Sequence, residues 1–232
     1  MKVTILAPAY NEEAVIRSFV GTVTDRLGEG WDLLIVDDGS TDRTAEILAE
    51  LESTEPFLQV VTHPVNRGLG AALRTGFGAA RGEVIITTDA DLSQPVDLFE
   101  PLVAGCDSAD AVFASRYVTG GAMVGVAWWR KIISEVANFV LRLAFRSPVR
   151  DLTTGFRAYR ADAVRSLPLT GTGFEAQLEI TVRLLAAGRR IVEIPLVLTS
   201  REAGTSKMRY LRLVPCYART SLRMLALRWL GR

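Results

Sequence analysis

Val3-Thr4-Ile5-Leu6-Ala7-Pro8-Ala9-Tyr10-Asn11-Glu12 reads as a buried strand running into a polar turn. Val3–Ala7 is mostly apolar from end to end, as expected of a strand covered on both faces of a parallel sheet. Leu33–Val36, Leu58–Thr62 and Val84–Thr88 repeat that character. Between the first two, Val15, Ile16, Phe19, Val20, Val23 and Leu27 recur at helical spacing, with Asn11 as the expected N-cap and Glu12 and Glu13 in the first turn. A second helix is expected after Ser40, with Ile47, Leu48 and Leu51 facing inward, and a third after Gly68–Gly70. This βαβαβ order predicts an α/β fold with an open, mostly parallel, doubly wound sheet that binds ligands at the carboxyl ends of its strands.

Beyond Ala111–Ser115 the pattern changes. Residues 120–128 are Gly-rich and apolar. Helices are expected over about 130–145 and 174–187, and a late strand over Ile191–Leu198. From Tyr210 a leucine-rich amphipathic helix carries Arg212, Arg219 and Arg223 on one stripe, and Pro215 should kink it or mark its start. Two divisions are expected: residues 1–208 as the main domain, with an interface helix near 128–145, and 209–232 as an amphipathic tail.

The formal net charge of +1 hides an asymmetry. Residues 1–115 hold 7 Lys/Arg and 19 Asp/Glu, a net of −12; residues 116–232 hold 20 and 7, a net of +13. The halves therefore meet different partners, unless both are simply solvated surface. Cys106 and Cys216 lack neighbours at metal spacing, which argues against a zinc site and a disulfide framework and makes a reducing setting the default. The opening apolar run is too short for a signal peptide, and no run of about 18 uncharged apolar residues occurs. No nucleic-acid partner is expected.

The strand-end turns hold acids: Glu12, Asp37-Asp38-Gly39-Ser40 and Asp89-Ala90-Asp91. In a parallel sheet these turns converge on one edge. Converging carboxylates repel and are costly to desolvate without a cation among them. Asp-x-Asp places two hard oxygens on one Mg²⁺ or Mn²⁺ that also grips a diphosphate. Taken singly, Asp37–Ser40 is ordinary turn and N-cap chemistry, and Gly68-Leu69-Gly70 is open to two readings, phosphate cradle or helix cap.

Together, Pro8–Glu12, Asp37–Asp42, Asn66-Arg67-Gly68-Leu69-Gly70 and Asp89-Ala90-Asp91-Leu92-Ser93-Gln94-Pro95 stand in the order and spacing of the inverting family 2 glycosyltransferases of GT-A fold. Ser115-Arg116-Tyr117, Arg130–Ser134, Asp151–Arg157 and Gly204–Met208 resemble the dolichol-phosphate mannose synthases and their polyprenol-phosphate relatives. The resemblance covers roughly residues 3–208. It implies a nucleotide-sugar pocket at Pro8, Tyr10, Glu12, Val36, Asp38, Gly68 and Asp89, and a divalent metal at Asp89 and Asp91. Many relatives carry Gln and then His after the second Asp; here Ser93 and Gln94 stand there, leaving water or Gln94 to fill the metal shell. It implies acceptor-phosphate contacts at Arg116, Arg130 and Ser134, and at Arg201 and Lys207 in a basic loop. Asp91 and Arg116 are the implied catalytic residues, with Asp151 as base or positioning group. His63, the one histidine, reads as structural.

A phosphate monoester, with its second pKa at about 6, is already an anion near neutrality and needs positioning cations more than a strong base. The reaction implied is transfer of a hexose, mannose from GDP-mannose or else glucose from UDP-glucose, to a polyprenyl or dolichyl phosphate. The place implied is the cytoplasmic face of a membrane, held peripherally, with room for a membrane-embedded partner protein. Trp128, Trp129, Trp229 and the Leu/Arg tail suit an interface, but docking of the tail onto the domain or dimerisation fits its pattern equally. The rivals are a soluble family 2 enzyme with a non-lipid acceptor and, from another class, a nucleotide-binding regulator.

Overall fold

The computed structural model describes residues 1–199 and 210–230. Nine strands and eight helices alternate through these residues. They are β1 (Val3–Ala9), α1 (Ile16–Thr24), β2 (Trp31–Asp37), α2 (Thr44–Thr54), β3 (Leu58–Thr62), α3 (Leu69–Ala79), β4 (Val84–Thr87), α4 (Phe99–Gly105), β5 (Ala111–Ser115), β6 (Ala122–Met123), α5 (Trp128–Phe145), β7 (Arg157–Arg160), α6 (Ala161–Arg165), α7 (Ala176–Ala186), β8 (Ile191–Pro195), β9 (Val197–Leu198) and α8 (Tyr210–Leu230).

The main sheet has seven strands in the order β3-β2-β1-β4-β7-β5-β8. All run parallel except β7, which is antiparallel to both β4 and β5. Because side chains alternate across a strand, Ile5, Leu33 and Ile35 join the core beneath α1, α2 and α4, while Leu6, Leu34 and Val36 join the core beneath α3, α6 and α7. Of the apolar strands seen in the sequence, β1, β2 and β4 are thus covered on both faces, whereas β3, at the sheet edge, is half-buried.

The antiparallel β7, which the sequence pattern does not announce, decides where the site lies. Thr87 pairs with Arg157 and Phe113 also pairs with Arg157. The amino end of β7 therefore lies beside the carboxyl ends of β4 and β5. The loop 151–156 enters at the same edge as the turns after β1, β2 and β4 and the residues after β5.

Three local expectations are corrected. Asn11 is not the N-cap of α1: the helix begins at Ile16 behind Val15, without a side-chain cap. Asn11 instead sits at φ 53°, a left-handed value that its short polar side chain tolerates, and its Oδ1 accepts from the Thr41 amide at 2.7 Å. The strand expected over Ile191–Leu198 splits at Leu196, whose amide donates to Ser115 while its carbonyl accepts from Ala122, so the chain passes from β5 to β6. Pro215 does not mark the start of the last helix, which runs from Tyr210 through it.

That last helix docks on the domain. Met224 is 1% exposed and packs with Phe145, Leu152, Leu178 and Val182. Arg223 pairs with the buried Glu179 at 3.0 Å, and Tyr217 Oη donates to the Phe174 carbonyl at 3.1 Å. Of the three roles left open for this segment, docking is the one its described inward face takes; Leu222 on its outer face is exposed.

Candidate active site

The carboxyl ends of β2, β1 and β4 are neighbours, with Ala9 opposite Asp37 and Leu6 opposite Thr87. Strand spacing puts the Asp37–Asp38 turn and the Asp89–Asp91 turn about 10 Å apart across β1. The β1–β4 ladder ends at Leu6, so Pro8, which has no N–H to donate, opposes Val36 on β2 at no cost to that ladder.

Asp38 is buried, and both oxygens are used. Oδ1 accepts from the Arg67 amide at 3.0 Å and faces His63 Nδ1 at 2.7 Å; Oδ2 accepts from the Gly68 amide at 2.7 Å. His63 is itself buried, its other ring nitrogen 2.9 Å from Thr75 Oγ1, in keeping with a structural histidine. Asp38 thus pins the 66–68 loop beside β2. Gly68 stands at φ 89° as the residue before α3, and a Cβ there would come 2.3 Å from the Thr172 carbonyl oxygen. Of its two readings, the geometry shows Gly68 ending the loop at the helix start, packed on the 171–173 turn. Tyr10 and Glu12 lie in the turn after β1; the Glu12 amide donates to Thr44 Oγ1, tying that turn to the start of α2.

After β4 the chain turns through Leu92 at φ 58°, a left-handed conformation that costs a bulky residue roughly 1–2 kcal/mol. The turn is over-determined by hydrogen bonds. Asp91 Oδ1 accepts from the Ser93 amide at 3.0 Å. Gln94 brackets Asp89: its Nε2 donates to Asp89 Oδ2 at 2.7 Å, while its Oε1 accepts from the Asp89 amide and from Thr88 Oγ1. The Gln94 oxygen is therefore engaged within the turn, and its amide orients the first carboxylate. Asp91 is buried. No group of three or more His, Cys, Asp or Glu side chains gathers at metal distance among the described residues. Two hard carboxylates still suit Mg²⁺ or Mn²⁺, which keep waters and share substrate phosphates instead of demanding a full protein cage.

Across β7 the logic is inverted. Asp151 is 0% exposed and grips Arg116 in a fork, Nε to Oδ2 and Nη2 to Oδ1, both 2.7 Å. The Arg116 and Thr154 amides also donate to it, and Glu193 accepts from its own backbone N–H. Burial alone would lower the Arg116 pKa, but the Asp151 charge and hydrogen bonds outweigh it and hold the guanidinium above its ordinary value. Nη2 also donates to Thr153 Oγ1. Among the described residues this leaves the two N–H groups of Nη1 for an anion, already aimed.

Ser134 and Arg130 both lie on α5. Ser134 Oγ accepts from Tyr117 Oη at 2.6 Å, and Arg130 lies 5.1 Å from the Trp129 ring centre. Asn138, buried one turn beyond Ser134, clamps α5 to the 151–156 loop: its Oδ1 accepts from the Leu152 amide and its Nδ2 donates to Thr153 Oγ1. Arg201 and Lys207 lie outside the described residues.

Sequence reasoning missed three contributors. Tyr117 stands inside a quoted motif but had no role. Asn138 shares its helix face with Ser134 and Arg142, and no sequence signal set it apart. Tyr217, pushed up to about 12 mainly by burial with Glu175 nearby, comes from a helix whose role the sequence left open.

The outer face of α5 is bare. Trp128 is 73% exposed, Phe139 60% and Leu143 62%, and Ile132, Ile133, Val136 and Val140 are exposed with them. No described helix is long and apolar enough to cross a membrane.

The sheet thus gathers acids after β1, β2 and β4 at one edge, with a buried carboxylate–arginine fork beside them. The chain belongs to glycosyl transferase family 2, whose pattern matches residues 4–167. It is 36% identical to the undecaprenyl-phosphate mannosyltransferase of Micrococcus luteus, over 90% of this chain and 88% of that one. It is 35% identical to the polyprenol monophosphomannose synthase of Mycolicibacterium smegmatis, over 88% and 80%. Its fold matches the glucosyl-3-phosphoglycerate synthase of Mycobacterium tuberculosis, solved with Mn²⁺, uridine diphosphate and phosphoglyceric acid, at a TM-score of 0.72 and 23% identity, covering 98% of this chain and 78% of that one.

Proposed function

We propose that this glycosyltransferase moves a hexose, mannose from GDP-mannose, onto a polyprenyl phosphate at a membrane surface, with inversion. The observation that carries the reading is the Arg116–Asp151 fork, which among the described residues leaves two guanidinium N–H groups free at the same sheet edge as Asp89 and Asp91. The names of the two similar mannosyltransferases support the acceptor class and the sugar.

Asp89 and Asp91 would hold a divalent cation together with the donor diphosphate, as the Mn²⁺ and uridine diphosphate of the structural neighbour support. Bound there, the cation neutralises charge building on the leaving nucleoside diphosphate. Gln94 keeps Asp89 in place. Arg116 holds the acceptor phosphate in line with the anomeric carbon, so that its oxygen forms the new C1–O bond while the bond to the donor diphosphate breaks. Asp151, buried and saturated, positions Arg116 and takes no proton. The apolar outer face of α5 meets the lipid, and its Arg142 and Arg146 favour anionic headgroups at about 1 kcal/mol each.

The test is a panel of radiolabelled GDP- and UDP-sugars, each with and without a polyprenyl phosphate. Label should pass from GDP-mannose into the organic phase only when the lipid is present. Transfer from UDP-glucose alone would replace the donor, and lipid-independent transfer to a soluble acceptor would overturn the reading.

A further inference from the structure

We infer that Gln177 is a contact for the donor sugar, its side-chain amide reading a hexose hydroxyl. The inference rests on the proposal above that Asp89 and Asp91 hold the donor diphosphate.

Helix α7 is buried along most of its length, and its polar side chains are otherwise accounted for. Glu175 accepts from the Thr172 and Gly173 amides, Glu179 from the Thr170 and Gly171 amides and from Arg183, and Thr181 donates to the Gln177 carbonyl. Gln177 is the exception. It is 4% exposed, and its Oε1 is shut away from solvent without a hydrogen-bond partner among the described residues. Buried amides are nearly always satisfied, so an unsatisfied one beside a ligand site points to a partner that arrives with the ligand.

Its position says which ligand. Gly155 is the bare residue between Gln177 and Asp89: a Cβ there would lie 3.5 Å from Gln177 Nε2 and 3.6 Å from Asp89 Oδ1. The amide and the first carboxylate of the donor site therefore flank one glycine. A sugar hanging from a diphosphate held at Asp89 is the nearest part of the substrate to that amide. The chemistry agrees. The orphan is an acceptor and needs a donor, which a hydroxyl supplies and a phosphate anion cannot. An amide that both gives and takes a hydrogen bond matches a hydroxyl that does the same.

The experiment compares GDP with GDP-mannose by calorimetry in Mn²⁺, without acceptor, for the full chain and for Gln177→Leu. Because no acceptor is present, the assay stands whether or not a polyprenyl phosphate is the true second substrate. Leucine fills similar space and removes an unsatisfied group, so the melting temperature should hold or rise. The affinity for GDP should be unchanged, and the affinity for GDP-mannose should fall about tenfold, the loss of one good hydrogen bond. An equal loss for both ligands would assign Gln177 to the diphosphate or metal instead, and no loss for either would make it structural; each overturns the inference. If the leucine variant does not fold, Gln177→Met replaces it with the same expectations.

Discussion

The two sides of the β7 strand use carboxylates in opposite ways. On the side proposed for the donor, Asp89 and Asp91 are carboxylates held at the sheet edge by amide groups of their own turn, and they belong to the half of the chain with a net charge of −12. On the side proposed for the acceptor, in the half with a net of +13, Asp151 is hidden and an arginine stands in front of it. The difference teaches where charge is put to use. A carboxylate near the ligand suits a shared cation, whereas a carboxylate behind an arginine removes that arginine's freedom and aims its remaining donors. On the proposed reading the same residue type is a ligand group in one place and a mount in the other.

The comparison breaks most visibly at Asp91. Asp91→Ala should fold normally and lose turnover by about 10³-fold, the scale of removing one preorganised electrostatic group, and excess EDTA should do the same to the unaltered protein. Near-normal rates in either case would remove the cation from the donor side. Asp151→Asn is the matching test of the mount. It should cut kcat/KM for the lipid phosphate about 10- to 150-fold, in line with losing hydrogen bonds to a charged group, while the acidic limb of the pH–rate profile keeps its shape. Loss of that limb would make Asp151 a base.

A second contrast lies between the two amphipathic helices. Helix α5 leaves its apolar face to the outside, and α8 turns Tyr217, Thr220 and Met224 inward. Phe139→Asp with Leu143→Asp, one turn apart on that outer face, should lower flotation with anionic vesicles at least about tenfold, since each apolar side chain buried in lipid contributes about 1.5–3 kcal/mol. Melting temperature should not move. Unchanged flotation would shift the interface elsewhere.

The smallest effect is expected where α8 is pinned. Burial would raise the Glu179 carboxyl, but the Gly171 amide, Arg183 and Arg223 outweigh it and hold the pKa below its ordinary value. A depressed carboxylate stabilises the fold above the ordinary range and loses that contribution as pH falls through its folded value. Glu179→Gln should therefore lower stability by about 1–3 kcal/mol at pH 7, read as a melting shift, and the gap to the unaltered protein should close in acid. A gap independent of pH would deny the charge any part in docking α8.

Much of this was legible in the chain. Apolar runs such as Leu33–Val36 and Val84–Thr88, each followed by an acid-bearing turn, identify parallel strands because burial on both faces leaves no alternation to hide them. Arg116, Asp151 and Asp91 stood out as charges inside quoted motifs. Their partnerships did not, because β7 is four residues long and nothing in Arg157–Arg160 signals an antiparallel strand. Gln177 was illegible for a related reason: Glu175, Gln177, Glu179 and Thr181 alternate with apolar residues, and only a helix enclosed on nearly all sides brings them inside. The tail stayed open in the sequence because a helix that docks by one apolar stripe and a helix that lies on lipid share the same periodicity.

The measurement that bears most directly on the division between donor and acceptor sides is made on Arg116→Ala. Nucleotide affinity is read by calorimetry with GDP and Mn²⁺, and acceptor use by initial rates over a range of polyprenyl phosphate. GDP affinity should be unchanged while kcat/KM for the lipid phosphate falls by about 1.5–3 kcal/mol in transition-state terms, the usual worth of a hydrogen bond to a charged group. A collapse of GDP affinity with acceptor kinetics untouched would place the fork on the donor side and contradict the account.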